Sequence, residues 1–115
     1  MSKDKDDRFK CPCCNENLID PRVVHWVQAV EVELHTTLTI TSGYRCEKHN
    51  LEVGGSKTSS HLKGLAVDLA CTTSRLRSNL MRMAVRLGIT RIGIGKSFLH
   101  LDIDQQKDQN VIWLY

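Results

Sequence analysis

A histidine and an aspartate seven residues apart frame the segment Ser59-Ser60-His61-Leu62-Lys63-Gly64-Leu65-Ala66-Val67-Asp68, whose second half leaves the backbone little choice. From Leu65 to Ala70 large and small side chains alternate with the two-residue period of a β-strand. Leu65, Val67 and Leu69 share one face, suited to a core. Gly64, Ala66 and Asp68 share the other, where small neighbours leave room around a carboxylate. A chain built on such a strand must cover one face and keep the other for polar chemistry.

The same pattern returns in Phe98–Ile103. Leu99, Leu101 and Ile103 take one face; Phe98, His100, Asp102 and Asp104 take the other. Ile89–Ile94 precedes it across Gly95-Lys96-Ser97, which reads as a hairpin. Leu38–Thr41 and Val111–Leu114 are two further strands, the latter at an edge. Asp20 as N-cap and Pro21 at the first position open a helix to about His35, with Val23, Val24, Val27, Val30 and Leu34 near 3.6 spacing. Ser74 is expected to cap a second helix, Arg75–Leu87, with Leu76, Leu80, Met83, Ala84 and Leu87 as its apolar stripe and Gly88 as its stop. Glu47–Val53 reads as a short helix followed by the turn Gly54-Gly55-Ser56. The expected fold is α+β: a small, mainly antiparallel sheet packed against two helices. Residues 1–10 are expected to form a flexible, charge-rich leader and 11–115 a single domain.

Composition narrows the function classes. Apolar residues make up 41% of the chain and aromatics 5%, so the core is modest and aliphatic. The net charge of +3 is spread among acids rather than gathered in a basic run, which argues against nucleic acid as a partner. No stretch approaches the roughly 18 apolar residues of a membrane helix, so no membrane insertion is expected. Met1–Arg8 has no apolar stretch after its charges and does not read as a secretory signal. Synthesis in a cytoplasm is therefore expected, and any action outside it would need something else to carry or release the protein.

Without such a signal, the five cysteines favour metal binding or free thiols over disulfides, and their odd number leaves at least one outside any intramolecular pair. Cys11 and Cys14 have the spacing of half a zinc knuckle, and Cys46 could serve as a third ligand or as a disulfide partner. Unligated thiols are the plain alternative there, and nothing in the spacing assigns Cys13 or Cys71. His25 and His35, on the first helix, read as solvated or packed residues rather than ligands.

His61, Asp68 and His100 are the candidate metal set. Two imidazoles and a carboxylate suit a catalytic Zn2+ that keeps a fourth position open. They converge only if the strands of Asp68 and His100 are neighbours. In the competing reading His61 caps a turn, Asp68 pairs with a lysine and His100 is incidental.

The residues Ser42-Gly43-Tyr44-Arg45, His49-Asn50, Val53-Gly54-Gly55, Ser59-x-His61-x-x-Gly64-x-Ala66-x-Asp68 and His100-x-Asp102 occur in an order that resembles the zinc D-Ala-D-Ala carboxypeptidase family. These are LAS-type peptidases, related in fold to lysostaphin and the hedgehog signalling domain. The resemblance runs from about Asp20 to Asp104. It implies that His61, Asp68 and His100 bind one zinc, and that Arg45 binds substrate or steadies the tetrahedral intermediate. It also implies a substrate among peptidoglycan stem peptides and cross-links, and an endolysin-like role. A guanidinium is suited to either task assigned to Arg45; its plain alternative is a surface salt bridge. Ser59 is expected to orient a ligand.

One departure stands out. Many members carry an acidic general base three residues before the last zinc histidine, and some another histidine two before it; here those positions are Ser97 and Phe98. Asp102 is the candidate base, with orientation of a ligand or of Arg45 as its equal alternative. A non-catalytic, zinc-containing module that binds wall peptide is the second functional reading. A thiol knuckle for nucleic acid is the third and weakest. The bond cleaved is not legible, and a monomer is expected.

Overall fold

Asp20 and Pro21 start the first helix as their chemistry predicts. In the computed structural model, which describes residues 6–115, the Asp20 carboxylate accepts from the Arg22 amide at 2.8 Å and α1 runs Pro21–Leu34. Val23, Val24, Trp26, Val27 and Val30 are its buried residues. The second long helix, α3 (Ser74–Arg86), follows the short α2 (Glu47–Glu52). Its cap is Thr73 rather than Ser74: the Thr73 hydroxyl accepts from the Leu76 amide at 3.1 Å because Thr73 is extended while Ser74 is already helical. Leu80, Met83 and Ala84 are buried, but Leu87 lies past the last helical residue, is 43% exposed and drops out of the expected stripe.

Five strands form one sheet, β1 (Ile40–Ser42), β2 (Ala66–Ala70), β3 (Arg91–Ile94), β4 (Phe98–Asp102) and β5 (Val111–Leu114), in the order β1-β2-β4-β3-β5. All neighbours are antiparallel except β3 and β5, which are parallel. The strand expected at Leu38 begins two residues later; Leu38 is instead buried in the core. Val67, Leu69, Ile92, Leu99 and Leu101 join the apolar residues of α1 and α3 in one cluster. Each such burial is worth about 1.5–3 kcal/mol over exposure, so the alternation in β2 and β4 sets which sheet face meets the helices. The expected α+β architecture is present.

The leader is corrected from Asp6 onward. Asp7–Phe9 is a 3₁₀ turn, Phe9 is fully buried, its carbonyl accepts from the Tyr44 amide at 2.8 Å, and Arg8 pairs with Glu31 at 2.7 Å. An aromatic among charges finds its burial through residues distant in sequence, which local composition does not reveal. Residues 1–5 lie outside the described residues.

Gly64 joins the loops before α1 and β2. Its φ is +70°, a Cβ there would fall 2.0 Å from the Leu18 carbonyl oxygen, and its own carbonyl accepts from the Asp20 amide at 2.8 Å. Among the described residues, no helix is long and apolar enough to cross a membrane.

Candidate metal centre

Strand register builds the site. Asp68 of β2 is paired with His100 of β4, His100 with Gly93 of β3, and Gly93 with Trp113 of β5, making a row across the sheet on the face away from the helices. The parallel row Ala66, Asp102, Arg91 and Val111 lies beside it. His61 comes from the 3₁₀ turn Ser60–Lys63 just before β2. The Ser59 hydroxyl accepts from the His61 amide at 3.2 Å, while Ser60 and Lys63 donate to one oxygen of Asp104 at 2.9 and 3.2 Å. The turn is thus moored to the segment after β4.

The ligand atoms of His61, Asp68 and His100 all lie within 4.8 Å of one another. His61 Nδ1 is 2.7 Å from the Gly43 carbonyl, which can only accept, so in the neutral ring Nδ1 carries the hydrogen and the Nε2 lone pair faces Asp68 Oδ1 at 3.2 Å. On His100 the roles are exchanged. Nε2 is 2.7 Å from Asp102 Oδ2, and Nδ1 faces the same Asp68 oxygen at 2.8 Å. Two imidazole lone pairs and a carboxylate oxygen therefore point at one spot, an arrangement a cation satisfies. Zn–N and Zn–O bonds of about 2.0–2.2 Å give tetrahedral edges near 3.4 Å, of the order of these separations. The donor set fits zinc.

Burial pushes the Asp68 carboxyl up, but the His100 and His61 rings, when protonated, donate to it, outweigh burial and hold the group well below the usual carboxylate range. Burial depresses His100, yet Asp102 and Asp68 raise it overall. Asp102 is likewise lowered, against its burial, by His100, the Asp104 amide and Arg91.

Asp102 is 2% exposed and both of its oxygens are engaged. Oδ2 meets His100, and Oδ1 accepts from Arg91 Nε at 2.7 Å and the Asp104 amide at 3.1 Å. That environment suits a group that fixes the His100 tautomer better than one that takes a proton from water. Ser97, at the position where many members of the resembling family carry an acidic base, is exposed and lies outside the cleft lining. Arg45 is held by Ser42 Oγ at 2.9 Å and Asn50 Oδ1 at 3.1 Å, and its Nη2 lies 3.5 Å from Asp68 Oδ2.

These groups form the floor of a cleft of ≈ 320 Å³ walled by Phe98, Trp113 and Tyr115. Sequence reasoning placed Val111–Leu114 in an edge strand but did not bring its aromatics to the site, nor Arg91 or Asn50. A signal was present in the alternation of Trp113 and Tyr115 and in Gly93: a Cβ there would lie 2.6 Å from the Tyr115 ring. Arg91 also stacks over Trp113, 4.9 Å from the ring centre.

A family model described as Peptidase M15 matches residues 6–104, which span the 3₁₀ turn of Phe9, every ligand candidate and Asp104. The chain belongs to the peptidase M15 family. Membership makes this M15 peptidase a zinc-dependent metallopeptidase by family and implies a peptide substrate. A search of curated proteins finds no match for the chain.

Proposed function

We propose that this M15 peptidase hydrolyses an amide bond in bacterial peptidoglycan stem peptides or cross-links, as a D-Ala-D-Ala carboxypeptidase or endopeptidase of endolysin type, with His61, Asp68 and His100 holding a single catalytic Zn2+. The observation that carries this is the convergence of the three ligand atoms within 4.8 Å on the floor of an open cleft beside Arg45. Zinc bound there would supply Lewis-acid polarisation of the scissile carbonyl and acidify a water.

The chain's own residues do the rest. Gly43 and Asp102 hold the two imidazoles in the tautomers that present lone pairs to the site. Arg45, anchored by Ser42 and Asn50, presents a guanidinium to a substrate carboxylate or to the developing oxyanion. Phe98, Trp113 and Tyr115 give the peptide an apolar wall and limit access of bulk water. Asp102 acts in this reading as a positioning residue for His100 rather than as the general base, its equal alternative by residue type.

Incubating the purified protein with cell-wall sacculi, with and without a chelator, and measuring new amino groups tests the reading. Chelator-sensitive release is expected, and mass spectrometry of the muropeptides would identify the bond. One observation favours a second reading, a binding module without turnover: among the described residues, the cleft is lined by no carboxylate other than Asp68 and Asp102. Zinc bound with no release from any wall type would establish that module instead.

Asp102→Asn separates the two roles of that residue. As a positioning group, its loss of charge should weaken zinc binding by about 10–100-fold in a chelator competition. Unchanged zinc affinity with a loss of rate alone would return Asp102 to the role of base.

A further inference from the structure

Outside the cleft, the described residues hold another convergence of ligand atoms: the sulfurs of Cys11, Cys14 and Cys46 lie within 4.8 Å of one another. Two segments far apart in sequence create it. The first is a tight loop closed by the Cys11 amide on the Glu16 carbonyl at 2.8 Å and the Asn15 amide on the Cys11 carbonyl at 2.8 Å, which folds Cys14 back over Cys11. The second is the start of α2, where Cys46 is the N-cap and its sulfur accepts from the His49 amide at 3.4 Å. The hydrogen bond from the Tyr44 amide to Phe9 zips the two together.

The spacing of the sulfurs carries the argument. Cys11 Sγ and Cys46 Sγ are 3.7 Å apart, and all five cysteines are free. A Zn–S bond of about 2.3 Å implies a tetrahedral S–S edge near 3.8 Å. A disulfide would require about 2.05 Å. The Cys46 amide donates to Cys11 Sγ at 3.5 Å.

We propose that Cys11, Cys14 and Cys46 form a second, structural Zn2+ site, independent of the catalytic ion, with its fourth position on the solvent side where Cys13 and Cys14 are exposed. Binding forms three Zn–S bonds and releases the three thiol protons to solvent, so no oxidant is needed. Its consequence for the cleft is direct. Cys46 follows Arg45, whose amide donates to the His61 carbonyl at 3.2 Å, so the ion would pin the N-terminal segment to the backbone that presents Arg45.

The test uses the reduced full chain loaded with Zn2+, or with Co2+ as a spectroscopic substitute. Two zinc ions per chain are expected by native mass spectrometry. The cobalt form should show thiolate-to-metal charge-transfer absorption in the near ultraviolet, which a His/Asp site cannot produce. Cys11→Ser and Cys46→Ser should each abolish the band and leave one zinc, while His61→Ala should keep the band. The wild-type band needs no variant and so survives any folding defect of the serine changes. A single zinc that His61→Ala removes, with no thiolate band in the wild type, would overturn the site; so would a Cys11–Cys46 disulfide that persists in the reduced, metal-loaded protein. A single zinc that carries the band and survives His61→Ala supports the thiol site and would instead sink the catalytic reading of His61.

Discussion

His61→Ala is expected to strip the cleft of its metal and reduce amide hydrolysis to the uncatalysed level. The ring is 3% exposed, and its Nδ1 is committed to the Gly43 carbonyl, so Nε2 is the nitrogen it offers to the ion. Loss of a mere supporting partner of a ligand typically costs about 10–100-fold in affinity, and loss of the ligand itself should cost at least the upper end of that range. Zinc retained after gel filtration, by elemental analysis, and amine release from sacculi are the two readouts. His100→Ala should behave alike and in addition leave Asp102 buried without its imidazole partner. A His61→Ala protein that remains folded and hydrolyses wall peptide at the wild-type rate would refute the centre.

Arg45→Ala should leave the metal bound and lower kcat/KM by about 10²–10³, the range for losing one preorganised donor to an oxyanion. Steady-state kinetics then tell which job the guanidinium does. A rise in KM points to a clamp on a substrate carboxylate, and a fall in kcat to stabilisation of the oxyanion. Arg45→Lys should not rescue activity. The side chain is held through Nε by Ser42 and through Nη1 by Asn50, a fork that one ammonium cannot reproduce. An alanine variant within a few-fold of wild type would reduce Arg45 to the structural partner of Asp68.

Much of the fold was legible because its signals are local. Asp20-Pro21 carries the cap and first-position chemistry of a helix start, and the alternation around Asp68 and His100 has the period of two-faced strands. Errors fell where two local candidates compete or where burial depends on a remote partner. Thr73 and Ser74 are both good caps, and backbone conformation rather than residue type chose Thr73. Phe9 sits among charges, yet the core near α1 claims it. Trp113 and Tyr115 were visible as alternating aromatics, but the parallel pairing of β5 with β3 that carries them to the cleft has no local signature. For Asp102 the residue type allowed two roles, and its partners, His100, Arg91 and the Asp104 amide, support the positioning role proposed above.

By itself the amino-acid sequence determined which side chains share a face, because the strand's two-residue period is a property of the backbone at each position. Only the tertiary structure decided that Asp68 pairs with His100 across β2 and β4, that His61 folds over both, and that Cys46 meets Cys11 and Cys14. The reason is physical. These partners lie 32 residues apart or more, except His61, which a 3₁₀ turn must swing into place. The cost of closing such loops is met by burial of the whole core, not by any local motif.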